Sequence, residues 1–74
     1  MNNIILKPED LGRLVYEARK AQQLTQEDLA GMTSTGRRFI VDLEKGKHTA
    51  QIGKVLVVLG ALGIALIASS KWKS

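Results

Sequence analysis

Between Thr25 and Gly46 the chain reads TQEDLAGMTSTGRRFIVDLEKG, and this stretch limits the fold more than any other. Thr25 is an N-cap residue, and Gln26, Glu27 and Asp28 after it suit the positive end of a helix dipole, with Asp28 as the capping-box acid. Leu29, Ala30 and Met32 supply a small apolar face. Met32-Thr33-Ser34-Thr35-Gly36 then breaks the helix with turn-forming residues. A second helix begins at Gly36 or Arg37, with Phe39, Ile40 and Leu43 at i, i+1 and i+4 on one face. Gly46 is its stop signal. The stretch therefore predicts two short helices joined by a tight turn, the second starting with two arginines.

Two short helices with a turn of this length form a helix-turn-helix unit. Thr25-Gln26, Leu29-Ala30, Ile40, Leu43, Glu44 and Gly46 resemble, without insertions, the Cro/repressor (XRE-type) helix-turn-helix family. Within it, Gly36-Arg37-Arg38-Phe39-Ile40-Val41-Asp42-Leu43-Glu44-Lys45-Gly46-Lys47 is similar to the HipB-type antitoxin branch, and the likeness extends from Lys7 to Ala68. Ser34 departs from the pattern, standing where the family usually has a turn glycine. A positive φ there would sit uncomfortably with a serine.

The resemblance implies a mainly α fold: a lambda-repressor-like bundle of four helices with a short C-terminal β-strand paired across a homodimer. The chain divides accordingly as one domain, 1–74. An extended arm or strand covers 1–6, helix 1 covers 8–22 and helix 2 covers 26–32. The recognition helix spans 36–45, helix 4 spans 50–62, a dimerisation strand 64–68 and a tail 69–74. Pro8 suits a first helical position and Glu9-Asp10 the first turn. Leu11, Leu14, Val15 and Ala18 form the buried stripe of helix 1. Ile4-Ile5-Leu6 is either a disordered start or a small strand awaiting a partner. Thr49 is the expected cap of helix 4, and Ile52, Val55, Leu56, Leu59 and Leu62 are its expected core face.

At 74 residues the chain is too short to bury a large core alone, so a second copy or partner is expected to cover the remainder. A net charge of +4 suits a polyanion. There is no cysteine and one histidine, so no cysteine-ligated metal site forms and His48 cannot hold a metal alone. Asp42 and Glu44 lie two apart on a helix and do not face each other, and no glycine-rich phosphate loop follows a strand. No catalytic site, metal or cofactor is expected, and with no leader-like start the expected setting is the cytoplasm.

Arg37 and Arg38 occupy the first turn of the recognition helix, the part that enters a major groove, where arginine can take guanine O6 and N7. Position by position they match the family's main base-reading sites. Val41, able to meet a thymine methyl, and Asp42 flank the same face. Asp42 would accept from a cytosine amino group, orient a neighbouring arginine, or serve only as a surface acid. Lys45, Lys47 and His48 are placed to grip phosphates, and Gln26, at the start of helix 2, offers an amide and free N–H groups to the backbone. The resemblance also pairs Arg19 with Glu44, implies a dimer interface through Ile64, Leu66 and Ile67, and implies a HipA-like serine/threonine kinase toxin as partner, with autoregulation of the operon. A stand-alone regulator would carry the same helix-turn-helix.

One rival remains. Val55 to Ala68 is a run of 14 residues with no charge. A spanning helix needs roughly 20 residues, which 51–70 reaches only with Lys54 snorkelling, and Gly60 and Gly63 interrupt it. Lys71-Trp72-Lys73 would anchor such a segment; otherwise Trp72 is a disordered tail, a packing anchor or a partner contact.

Overall fold

The computed structural model describes residues 4–72. It contains four helices: α1 Pro8–Ala21, α2 Gln26–Thr33, α3 Arg37–Glu44 and α4 Ile52–Ala61. Helix α3 packs on α1 and α2, and α4 packs chiefly on α2.

Local sequence accounts for where the helices start. Pro8 opens α1, and the Asp10 carboxylate accepts hydrogen bonds from the backbone N–H groups of Leu6 and Lys7 (3.0 and 3.2 Å). At α2 the capping box is closed on both sides. Thr25 Oγ1 accepts from the Asp28 N–H, and Asp28 Oδ2 accepts from the Thr25 N–H, both at 2.9 Å. The hydrogen bond from the Thr25 backbone N–H, and after it the Thr25 side chain, hold the Asp28 carboxyl below its ordinary range. Because the folded value is the lower one, the contribution is full above the unfolded pKa and is lost as pH falls through the folded value. Helix α4 starts differently from expectation. Thr49 lies in a turn, and the N-cap is Gln51, with no side-chain cap bond.

Every helix ends on a left-handed residue. Gly46 (φ 85°) and Gly63 (φ 78°) terminate α3 and α4. In each case the following N–H reaches back five residues, Lys47 to the Asp42 carbonyl (3.0 Å) and Ile64 to the Leu59 carbonyl (2.9 Å), giving Schellman closures. Gln23 (φ 60°) and Ser34 (φ 56°) hold the same conformation at the ends of α1 and α2 without the freedom of a glycine. The serine at the family's glycine position is thus in the strained conformation.

The core gathers Val15, Leu29, Ala30, Ile40, Leu43, Val55, Val58, Leu59 and Leu62. Two expectations fail here. Met32 is exposed, because α2 turns Leu29, Ala30 and Thr33 inward, with Thr33 Oγ1 donating to the Leu29 carbonyl at 2.8 Å. On α4 the expected Val55, Leu59 and Leu62 are buried, but the buried stripe is shifted to one side of the expected face. Val58 is fully buried, while Ile52 and Leu56 are 64% and 48% exposed. In a helix apolar on every side, periodicity cannot select the inward face; the fit against α2 does.

The strand expected over 64–68 is absent. Residues 64–70 carry no regular structure, and neither do residues 4–6, so there is no strand among the described residues. The reason is chemical: a strand exists only against another strand, and nothing in this chain lies alongside. Ile64 instead packs on its own chain's core, as the residue after a Schellman glycine commonly does. No helix among the described residues is long and apolar enough to cross a membrane. Parts of the predicted arm (1–3) and tail (73–74) lie outside the described residues.

Candidate nucleic-acid interface

Helix α3 divides cleanly. Ile40 and Leu43 are buried and Phe39 packs against the core. Arg37, Arg38, Val41, Asp42 and Lys45 occupy the opposite face, with both arginines exposed and Val41 and Asp42 half-buried.

What fixes this face is a clasp on the other side. Glu44 turns inward, where Arg19 Nε donates to its Oε2 at 2.6 Å and Arg19 Nη2 to its Oε1 at 3.1 Å. Gln26 Nε2 donates to the same Oε1 at 3.1 Å, and Arg19 Nη1 donates to the Leu24 carbonyl at 2.8 Å. One carboxylate thus joins α1, α2 and α3. The hydrogen bonds that Arg19 donates to Glu44 raise the Arg19 pKa above its ordinary value, against the opposing effect of burial. The Arg19 guanidinium also lies 5.4 Å from the centre of the Tyr16 ring.

Gly12 completes the fixation. A Cβ built there would stand 2.5 Å from the Leu43 carbonyl oxygen and 2.6 Å from that of Glu44. Only a glycine lets α1 lie this close to the end of α3. The signal was present as an isolated glycine inside a helical pattern, which usually has a packing reason, but its partner could not be read from spacing.

Around the outward face the predicted residues have distinct surroundings. Asp42 Oδ1 lies 3.3 Å from Arg38 Nε, and Asp42 Oδ2 lies 3.5 Å from Lys47 Nζ. Lys45 is exposed at the C-cap of α3. His48 Nε2 is 2.9 Å from Glu9 Oε2, and this hydrogen bond is the main cause of the lowered Glu9 pKa. His48 therefore ties the loop after α3 to the start of α1, where Gly46 also presses against Glu9. The amide of Gln26 is directed to Glu44, leaving the backbone N–H groups of the first α2 turn as the donors at that end.

Lys54, read from the sequence only as a charge near the start of an apolar helix, sits 5.8 Å over the Phe39 ring. With Lys47 and Asp42 it lines an open hollow of about 170 Å³ beside α3. Ile64 is half-buried in its own core, whereas Leu66 and Ile67 are exposed. Among the described residues no group of His, Cys, Asp or Glu is arranged to hold a metal ion.

Comparison with known proteins places this arrangement. A family model described as a helix-turn-helix domain matches residues 12–66. The uncharacterized HTH-type transcriptional regulator y4mF of Sinorhizobium fredii is 58% identical over 62 residues, covering 84% of this chain and 82% of that protein. Two solved structures, the HipB-O4 20mer complex and the HipA-HipB-O2-O3 complex, each contain a chain that superposes with a TM-score of 0.86 at 17% identity, over 95% of this chain and 99% of theirs. The match to most of the chain, the high identity to y4mF and the shared four-helix fold together mean that this chain belongs to the XRE-type helix-turn-helix family, with a HipB-like fold.

Proposed function

We propose that the chain is a sequence-specific repressor of transcription that binds double-stranded DNA as a homodimer on a palindromic operator. The observation that carries this reading is the pair of exposed arginines in the first turn of α3, on a helix whose back is locked by Gly12 and the Arg19–Glu44–Gln26 clasp. A rigid helix presenting Arg37 and Arg38 suits major-groove reading, and each bidentate arginine–guanine pair discriminates by about 1–3 kcal/mol. Val41 is positioned to meet a thymine methyl. Lys45 and Lys47, with Lys54 nearby, supply phosphate contacts that add affinity without specificity. His48 contributes mainly by fixing its loop. Gln26 acts through the clasp and through the α2 N-terminus.

The test is a binding titration of a duplex from the protein's own promoter and of a scrambled duplex, at two salt concentrations. Arg37→Ala should remove the preference for the promoter. Lys47→Ala should weaken both duplexes alike and reduce the salt slope by about one. Equal losses for both duplexes in both variants would overturn the division into reading and gripping residues.

The homodimer is supported by the apolar surface that one copy leaves open: Ile52, Leu56 and Val57 on α4, and Leu66 and Ile67 beyond it. Residues 64–68 become a strand only when a second copy supplies its pair, and two recognition helices then stand about one DNA turn apart. Leu66→Lys should yield a monomer by sedimentation; persistence of the dimer would exclude this interface.

The finer reading is that the chain is the antitoxin of a HipA-like serine/threonine kinase and represses its operon together with that kinase. Support comes from the HipB-like fold, found in a complex that also contains HipA. Co-purification from the native host tests it, with recovery of a kinase expected. Recovery of none would favour a stand-alone regulator.

A further inference from the structure

Asp42 is the one acid on the outward face of α3, since Glu44, the helix's other acid, is spent on Arg19 and Gln26. Its carboxylate is shared: one oxygen faces the Nε of Arg38 and the other the ammonium of Lys47. These two cations have different tasks in the reading above, one facing bases and the other phosphates. The Asp42 side chain is 22% exposed and that of Arg38 87%, so a largely covered acid meets the root of a cation that extends into solvent.

The atoms involved matter. A guanidinium bound through Nε keeps its Nη1/Nη2 edge free, and that edge can still donate bidentately to guanine O6 and N7. Contact with Asp42 and contact with a guanine are therefore compatible. Contact with random phosphates is a different matter. There Arg38 and Lys47 would serve as plain cations, and the nearby carboxylate cancels part of their charge and repels the phosphate.

We propose that Asp42 is a specificity-determining positioning residue, which orients Arg38 for reading and lowers affinity for non-matching duplex by neutralising Arg38 and Lys47 together. The proposal rests on α3 being the reading helix.

The test uses the full chain, titrated with the promoter duplex and a scrambled duplex of equal length at two salt concentrations. The variants are Asp42→Asn, Arg38→Ala and the double variant, each checked for unchanged helical circular dichroism. Asp42→Asn should bind the scrambled duplex about two- to fivefold more tightly, the span expected for an exposed charge pair. The promoter should gain less, so the specificity ratio falls. The salt slope on scrambled DNA should steepen by about 0.9, equivalent to one more cation engaged. In the Arg38→Ala background, Asp42→Asn should change the ratio little. An unchanged ratio in Asp42→Asn, with wild type still preferring its promoter, would overturn the role of Asp42 and leave the reading of α3 intact. Loss of preference confined to one cytosine position would also overturn it, since Asp42 would then be reading a base itself. A wild type with no promoter preference overturns both.

Discussion

Helices α3 and α4 are built from opposite kinds of sequence. In α3, charged and apolar residues alternate at helical spacing, so the inward and outward faces are distinct. In α4, IGKVLVVLGA, apolar residues surround the axis and Lys54 is the only charge. The first pattern fixes a helix's rotation by itself, because turning it would bury arginine. The second leaves rotation to the neighbour, and so the structure buries Val58 where the spacing pointed to Ile52 and Leu56. Apolar content states that a helix will be covered; contrast states on which side.

The strongest challenge to this contrast is a pair of acids on α4. Val58→Asp places a charge at a fully buried site and should cost about 4–5 kcal/mol, abolishing cooperative unfolding in urea. Leu56→Asp, two residues away, should cost about 1 kcal/mol or less in the isolated domain, and should also weaken the proposed homodimer. If both variants unfold alike, α4 does not sit in the rotation described.

Glycines test the same contrast more finely. Gly12→Ala forces a methyl onto two backbone oxygens that cannot rotate away and should cost about 3 kcal/mol by chemical denaturation. Gly60, on the exposed side of α4, meets nothing within 4 Å. Gly60→Ala should therefore stabilise by about 0.8 kcal/mol through helix propensity. A loss there instead would mark the site as covered by the second copy. The smallest expected effect lies at the turn into α3: Ser34→Gly relieves a left-handed serine, and a thermal melt should show a gain of about 0.5 kcal/mol.

Legibility in the sequence followed the same division. The helix-turn-helix, the Thr25–Asp28 cap and the stop at Gly46 depend on residues close in sequence, and four helices were foreseen. Arg37 and Arg38 stood out because charge at the start of an otherwise core-facing helix has few structural uses. The surroundings of Gln26 and His48 did not stand out, since each is set by an acid 18 or 39 residues away. Nor did the close approach at Gly12, which depends on how α1 crosses α3. The strand expected over 64–68 did not form, since short apolar β-branched spacing cannot say whether a pairing partner lies alongside.

The carboxylate of Glu44 has a further consequence, for the order in which the molecule comes apart. It fastens the first three helices into one cooperative block, while α4 leans chiefly on α2 and is linked back by side chains such as Gln22, whose amide donates to the Leu62 carbonyl at 2.9 Å. Amide protons of α4 should exchange with solvent through a local opening that leaves the block closed. The last helix is then the detachable part, able to loosen while the arginine-bearing rod keeps its aim.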